Sequence, residues 1–318
     1  MNPRQLAALA ALACVAALPA QAGQSFDAIK AKGFVQCAVN TGLAGFSFAD
    51  SSGKWTGLDV DLCKAIAAAM FGDAEKVKFT PTTAQQRFVA LQSGEVDVIT
   101  RNATQTLLRD TSLGFNFAGI NFYDGQGFMV PTKSGIKSAK ELGGATICVQ
   151  PGTTTELNLA DYFRRNKMTF KPVLIEKLDE LLQAFAAGRC DSYTTDASGL
   201  AAARAGQLSG KGDYTILPER ISKEPLGPMV RHGDDQWLDL VKYVLDGMIE
   251  AEELGVLGAV GAAAEVAVEP RMQLTSEIPL LDEYLGARFR FAGARLLEQV
   301  LARPRLQSPE SCAQRRRG

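Results

Sequence analysis

A chain of 318 residues, 46% of them hydrophobic, is long enough for two domains with sizeable cores. Its net charge of −1, with no basic run before Arg315-Arg316-Arg317, argues against a nucleic-acid partner. The composition is that of a soluble globular protein.

The N-terminus carries an export signal. Arg4 is a minimal basic start and residues 6–18 are an apolar run too short to span a bilayer comfortably. Ala20-Gln21-Ala22 is a small-x-small cleavage site, so residues 1–22 read as a signal peptide cut before Gly23. Cys14 suits a lipoprotein site poorly, because Ala11 stands where such a site carries a larger aliphatic residue. Export leaves Cys37, Cys63, Cys148, Cys190 and Cys312 in an oxidising compartment. None has metal-type spacing, so no metal is expected. They fall as one pair in each half, with Cys312 left over. Bridges Cys37–Cys63 and Cys148–Cys190 are predicted, the alternative being reduced, buried thiols.

Strands and helices then alternate. Residues 34–39 read as a strand and 40–46 as the loop leaving it. After Trp55, Gly57-Leu58-Asp59-Val60-Asp61 opens a helix to Met70. Leu58, Leu62, Ile66 and Met70 form its apolar stripe, while Asp59 and Asp61 suit the positive end of its dipole. Residues 77–80 are the next strand. Thr83-Ala84-Gln85-Gln86 is a capping box for a helix to Ser93, closed by Gly94. The apolar run 96–100 reads as a buried strand, and the polar loop 101–110 leaves it. This loop carries Asn102, Thr104 and Arg109. Arg109, about a helical turn after Thr104, can grip a carboxylate with two parallel N–H bonds; the alternative is an ion pair with a surface Asp.

The stretch 115–130 is irregular and apolar, with Tyr123-Asp124-Gly125-Gln126-Gly127 inside it. The same grammar then restarts. A short helix at 138–142 and a strand at 146–149 precede the loop Gln150-Pro151-Gly152-Thr153-Thr154-Thr155, which feeds a helix to Arg165. Leu178, Leu181, Leu182 and Phe185 mark a further helix, and residues 190–194 a strand ending in Thr195-Asp196. A second crossing near 225–230 leads to a helix from Asp235 to Leu254. Two α/β units joined by two crossings imply two parallel-sheet lobes with a cleft between them. Lobe 1 is expected over 23–126 and 228–256, and lobe 2 over 127–227. A helix starting at Thr153 or Thr154 offers free N–H groups to an anionic ligand, or is an ordinary N-cap.

Gly57-Leu58-Asp59-Val60-Asp61, the 104–109 stretch, Val149-Gln150-Pro151-Gly152-Thr153-Thr154 and Thr195-Asp196 together resemble the periplasmic polar amino-acid-binding proteins of ABC importers. Longer strings are similar to the general L-amino-acid-binding subfamily: Asn40-Thr41-Gly42-Leu43-Ala44-Gly45-Phe46, residues 124–130, residues 153–163 and Ser222-Lys223-Glu224-Pro225-Leu226-Gly227-Pro228. The resemblance runs from about Gly23 to Val256. It implies the two-lobed, type II periplasmic-binding-protein fold and hinge closure on a free L-amino acid, with hinges near Asp124 and Pro225. It also implies broad specificity, a monomer, no cofactor, and delivery to the membrane permease of an ABC importer. Residue by residue, it makes Arg109 the clamp on the ligand α-carboxylate. Thr104 and the backbone at Asn102 assist from the first lobe, Thr153 and Thr154 from the second, and Asp196 receives the α-ammonium. Phe46 and Trp55 are candidate apolar walls, or core. Asn102 stands where narrower-specificity relatives commonly have glycine.

After Val256 the character changes: lysine disappears, arginine recurs, and the resemblance stops. Residues 257–318 read as an out-of-frame tail, the alternative being a divergent extension. Two rival functions share the fold. A periplasmic dehydratase needs a cleft acid or base; the one histidine, His232, lies beyond the second crossing, and an Asp196 facing an ammonium stays ionised and inert. An amino-acid sensor would present the same closed shape to a membrane receptor.

Overall fold

The computed structural model describes residues 24–253. The signal-peptide reading of 1–22, Cys312 and the tail reading of 257–318 lie outside these residues.

Two five-stranded sheets share one plan. The first holds β1 (Val35–Val39), β4 (Val77–Pro81), β5 (Val98–Ile99), β6 (Phe115–Phe117) and β14 (Met229–Arg231), after the small hairpin β2 (Phe48–Ala49) and β3 (Trp55–Thr56). Its order is β4-β1-β5-β14-β6, with β1 parallel to β4 and β5 and β14 antiparallel to β5 and β6. The second holds β8 (Gln126–Pro131), β9 (Thr146–Val149), β10 (Lys171–Leu174), β11 (Ser192–Asp196) and β12 (Tyr214–Ile216), in the order β10-β9-β11-β8-β12. Here too the first three are parallel and β8 runs against β11 and β12. Each lobe is therefore a parallel α/β unit with an antiparallel strand inserted beside its third parallel strand.

The chain passes between the sheets twice. β7 (Phe122–Asp124) and β13 (Glu224–Leu226) pair antiparallel, Glu224 opposite Asp124 and Leu226 opposite Phe122. These are the two crossover strands anticipated near Asp124 and Pro225. Gly227 sits so close to the first crossing that an added Cβ would lie 1.9 Å from the Gly119 carbonyl oxygen, which no side chain tolerates.

The helix Leu58–Phe71 buries Leu62, Ile66 and Met70 against β1 and against the long helix Asp235–Glu253, whose Trp237, Val241 and Val244 complete the core. Trp237 is fully buried because its indole N–H finds the Asp97 carbonyl at 3.0 Å. The capping box forms as written: Gln86 N–H donates to Thr83 Oγ1 and Thr83 N–H to Gln86 Oε1, both at 3.2 Å. Gly94 ends that helix with φ of 80°. The cysteines pair as Cys37–Cys63 and Cys148–Cys190, with Cα–Cα separations of 6.4 and 5.6 Å. Each bridge ties a sheet to its lobe.

Candidate functional site

The cleft wall of the first lobe is built by the loop that leaves β5, and Asn102 is its hub. Its N–H turns to the Asp59 carboxylate. Its carbonyl accepts from Arg87 Nη1 at 3.0 Å, and its side-chain oxygen accepts from Asn40 Nδ2 at 3.1 Å. Its side-chain amide reaches across the cleft to Asp196 Oδ2 at 3.3 Å. Thr106 then caps the short helix Leu107–Thr111 by accepting the Arg109 N–H at 3.3 Å. This turn points Arg109 inward, where Nη1 donates to the Thr104 carbonyl at 2.6 Å. Phe88 lies between two guanidiniums, with Arg87 4.7 Å and Arg109 5.0 Å from its ring centre.

The second lobe answers with two helix starts. Thr153 caps the helix Thr154–Arg165, accepting the Glu156 N–H at 3.1 Å and donating to the Gln150 carbonyl at 2.7 Å. Its hydroxyl proton is thereby spent within the loop. Asp196 ends β11 at the head of the helix Ala197–Ala205. Neighbouring Asp124 takes the backbone N–H of Ser198 at 3.3 Å and also its hydroxyl. Other contacts close the lobes on each other: Thr83 Oγ1 donates to Glu176 at 2.6 Å and Gln207 Nε2 to the Gly42 carbonyl at 2.8 Å.

Glu224, on crossover strand β13, joins all three parts. One carboxylate oxygen accepts from Thr104 Oγ1 at 2.6 Å and Thr154 Oγ1 at 2.9 Å; the other accepts from Asn158 Nδ2 at 2.7 Å and from the Ser222 hydroxyl. Glu224 is 1% exposed, so these four donors stand in for water around a buried charge. With both threonine protons turned to Glu224, the hydroxyls of Thr104 and Thr154, 3.3 Å apart, present lone pairs to the cleft.

Burial dominates the electrostatics. It pushes the Asp59 carboxyl up to about 8, against the pull of Arg101 and the Asn102 N–H, and Asp61 up to about 7. Asp196 is raised by burial and then by the like charges of Asp124 and Glu224. Burial also lowers Arg101 and Arg109 to about 10, and lowers Arg87, which additionally faces the other two guanidiniums. Three cations on one lobe thus face carboxylates on the other lobe and on the crossover.

Asn102, Thr104, Arg109, Thr154 and Asp196 come together around the cleft. Phe46 does too, in a small cluster with Leu43, Ala202 and Leu226 that spans the lobes, its ring 5.3 Å from Phe122. Trp55 does not. It pairs opposite Ala49 and packs on Phe79 at 5.7 Å, against the first lobe's core. Thr153 is a helix cap by its side chain. Asp59 and Asp61, expected at a helix dipole, are 2% and 9% exposed. Sequence reasoning assigned no role to Asn40, Arg87, Arg101, Asn158 or Glu224. A glutamate followed by proline inside an apolar crossing was the one available signal for Glu224.

Comparison with known proteins agrees with the fold. Residues 35–258 match the family described as bacterial extracellular solute-binding proteins, family 3. The general L-amino acid-binding periplasmic protein AapJ of Rhizobium johnstonii is 56% identical over 253 residues, covering 80% of this chain and 74% of that protein. The glutamate/glutamine/aspartate/asparagine-binding protein BztA of Rhodobacter capsulatus is 55% identical over 252 residues, covering 79% and 73%. Among solved structures, a periplasmic binding protein from Brucella ovis with glutathione bound superposes with a TM-score of 0.72 at 55% identity, covering 79% of this chain and 78% of that one. The chain belongs to the family 3 bacterial extracellular solute-binding proteins.

Proposed function

We propose that the cleft captures free L-amino acids of varied side chain in the periplasm, after export through the signal peptide, and that the closed monomer hands them to the permease of an ABC importer. The observation that carries this reading is the placement of opposite charges on opposite walls. Arg109 stands on the first lobe with one Nη committed to Thr104 and, among the described residues, no other hydrogen-bond acceptor on its fork, which leaves it for an α-carboxylate. Asp196 stands on the second lobe, buried, accepting from the Asn102 side chain and in no ion pair among the described residues. A zwitterion bridges the two, and only when the lobes meet, so its binding energy favours the closed form.

The hydroxyls of Thr104 and Thr154 have a part different from the one the resemblance implied. With their protons on Glu224 they accept, so they join Asp196 around the α-ammonium. The printed names of the two relatives, one a general L-amino acid binder and the other a binder of four acidic and amide amino acids, support the ligand class. The reading is of a binding protein, because an ammonium held at Asp196 keeps that carboxylate charged and occupied.

A thermal-shift screen of the mature protein against the twenty amino acids tests it. A ligand that binds only the native form raises the melting temperature. Shifts with several amino acids are expected. A single responder would remove the broad specificity, and no responder would remove the amino-acid reading. Release of altered product from a responding amino acid would favour a dehydratase instead.

A further inference from the structure

One strong donor in the cleft wall is left without an acceptor. Arg101 leaves the end of β5, just after Thr100, whose N–H still bonds the Ala38 carbonyl at 3.1 Å. It is 4% exposed, and its Nε is sealed from solvent with no partner. Among the described residues its guanidinium makes no hydrogen bond and no ion pair. Each of the two neighbouring arginines holds one hydrogen bond, Arg87 to the Asn102 carbonyl and Arg109 to the Thr104 carbonyl, although Arg87 Nε is also buried without a partner. A buried cation without a hydrogen-bond acceptor is destabilising, which a fold does not retain without return.

Besides Arg87 Nε and the neighbouring Thr100 Oγ1, two buried acceptors are unmatched in the same wall. Asn40 Oδ1 has no partner although its Nδ2 holds Asn102, and Asp59 Oδ2 has none at the head of the helix Leu58–Phe71. Asp59 is the carboxylate whose charge acts most on Arg101, yet among the described residues no hydrogen bond or ion pair joins the two side chains, and burial raises the Asp59 carboxyl. Asp59, Asn40 and Arg101 together offer donors and acceptors to something that the protein itself does not provide.

The main chain of an amino acid is already taken, its carboxylate by Arg109 and its ammonium by Asp196, Thr104 and Thr154. The acceptor for Arg101 must come from further along the ligand. We infer that Arg101 is the donor of a side-chain subsite that takes a ligand carboxylate or carboxamide oxygen beyond the α-carbon. Asn40 and Asp59 complete this subsite: a carboxamide N–H finds the unmatched oxygen of Asn40 or of Asp59 while its carbonyl oxygen, or a carboxylate oxygen, accepts from Arg101. The inference rests on the amino-acid reading above and narrows it, ranking acidic and amide side chains over apolar ones of similar length.

Isothermal titration of the mature protein with glutamate, glutamine, norvaline and alanine tests it. The wild type is expected to bind glutamate and glutamine about 10- to 100-fold more tightly than norvaline, as a hydrogen bond to a charged donor allows. Arg101→Met is expected to erase that preference, bringing the glutamate-to-norvaline ratio to within about twofold of unity. Alanine binding by the wild type reports on the amino-acid reading, and the glutamate-to-norvaline ratio reports on the subsite. A wild type that binds alanine and does not prefer glutamate or glutamine to norvaline overturns the subsite alone. Loss of all four ligands in a folded Arg101→Met variant makes Arg101 structural and overturns it as well. A wild type that binds none of them overturns both readings. The wild-type ratio decides the matter even where the variant fails to fold.

Discussion

Replacing Glu224 by glutamine tests how closure is held. Glutamine keeps the size of the side chain and removes its charge and one acceptor oxygen. The hinge strand is stitched to the first lobe: Gln105 N–H donates to the Pro225 carbonyl at 2.8 Å and Gly227 N–H to the Ala103 carbonyl at 3.0 Å. Glu224 therefore travels with Thr104, and its bonds from Thr154 and Asn158 are the ones made only when the second lobe arrives. Each is a hydrogen bond to a charge, worth roughly 1.5–3 kcal/mol, and a neutral acceptor recovers about half of that. Two such losses amount to roughly 2 kcal/mol, or about 30-fold in the ratio of closed to open protein. The dissociation constant for a responding amino acid, read by titration calorimetry, is expected to rise by about that factor, since the bound form is closed. Small-angle scattering is expected to show a larger radius of gyration before ligand is added. An unchanged dissociation constant with an unchanged radius, in a variant that melts normally, would refute the latch. A loss of affinity with no expansion would make Glu224 a local support of the threonine hydroxyls instead.

Arg109→Ala is expected to abolish amino-acid binding in the same titration while the protein still melts cooperatively, although the lost contacts with the Thr104 carbonyl and Phe88 lower its melting temperature by a few degrees. Retained binding would show the carboxylate clamp to be elsewhere. Asp59 at about 8 and Asp61 at about 7 hold their protons far above the unfolded value near 4, so between these values the native state binds more protons than the unfolded one. Their contribution to stability is full below about pH 4 and is lost as pH rises to about 8. The melting temperature of Asp59→Asn/Asp61→Asn should therefore depend less steeply on pH across pH 5–8 than that of the wild type, and parallel curves would refute the assignment. Reducing the Cys37–Cys63 and Cys148–Cys190 bridges, which close sequence separations of 26 and 42 residues, is expected to cost about 3–4 kcal/mol each in denaturant unfolding. A reduced protein with an unshifted midpoint would contradict that.

Elements with a local cause were legible in the sequence. The helix Gln86–Ser93 announced itself by its capping box and Gly94, and Thr154–Arg165 by the threonines before it. Other elements had no local signature. The stretch 115–130 contains β6, β7 and most of β8, yet β8 is buried on both faces from Gln126 to Val130, so the alternation that marks a half-buried strand is missing. β10 is an edge strand, exposed and carrying Pro172, a residue tolerated there because its missing N–H faces no neighbour. The helix Ala197–Ala205 is a run of small residues that shows no amphipathic stripe. The run 96–100 reads as a five-residue strand, but only Val98–Ile99 is strand, flanked by single bonds to β1. Of the site, the clamp loop was visible because Thr104 and Arg109 are close in sequence. Glu224 has no local signal because its partners lie 120 and 70 residues away, and Asp59 falls in the first turn of its helix as its place in the sequence implies, while its burial depends on the loop that packs over it.

The division of labour between the lobes follows from where each charge is cheapest to hold. The first lobe carries Arg101 and Arg109 on a loop pinned to the hinge by backbone bonds and Arg87 on the helix before it, so its half of the site is in place before any closure. The second lobe carries its charged residue at a helix N-terminus: Asp196 heads Ala197–Ala205, where the helix dipole favours a negative charge that burial and Asp124 would otherwise neutralise. In the closed cleft, burial and the like charges of Asp124 and Glu224 raise Asp196 while among the described residues no ammonium faces it. An arriving ammonium reverses that, since a positive charge within hydrogen-bonding distance restores the carboxylate and strengthens with it. Closure and ionisation then support each other, and the ligand that does both is one with its cation a short, fixed distance from its anion. That geometry is an α-amino acid's, and it explains why selectivity for the class needs only main-chain contacts while selectivity within it falls to the first lobe's unspent donors.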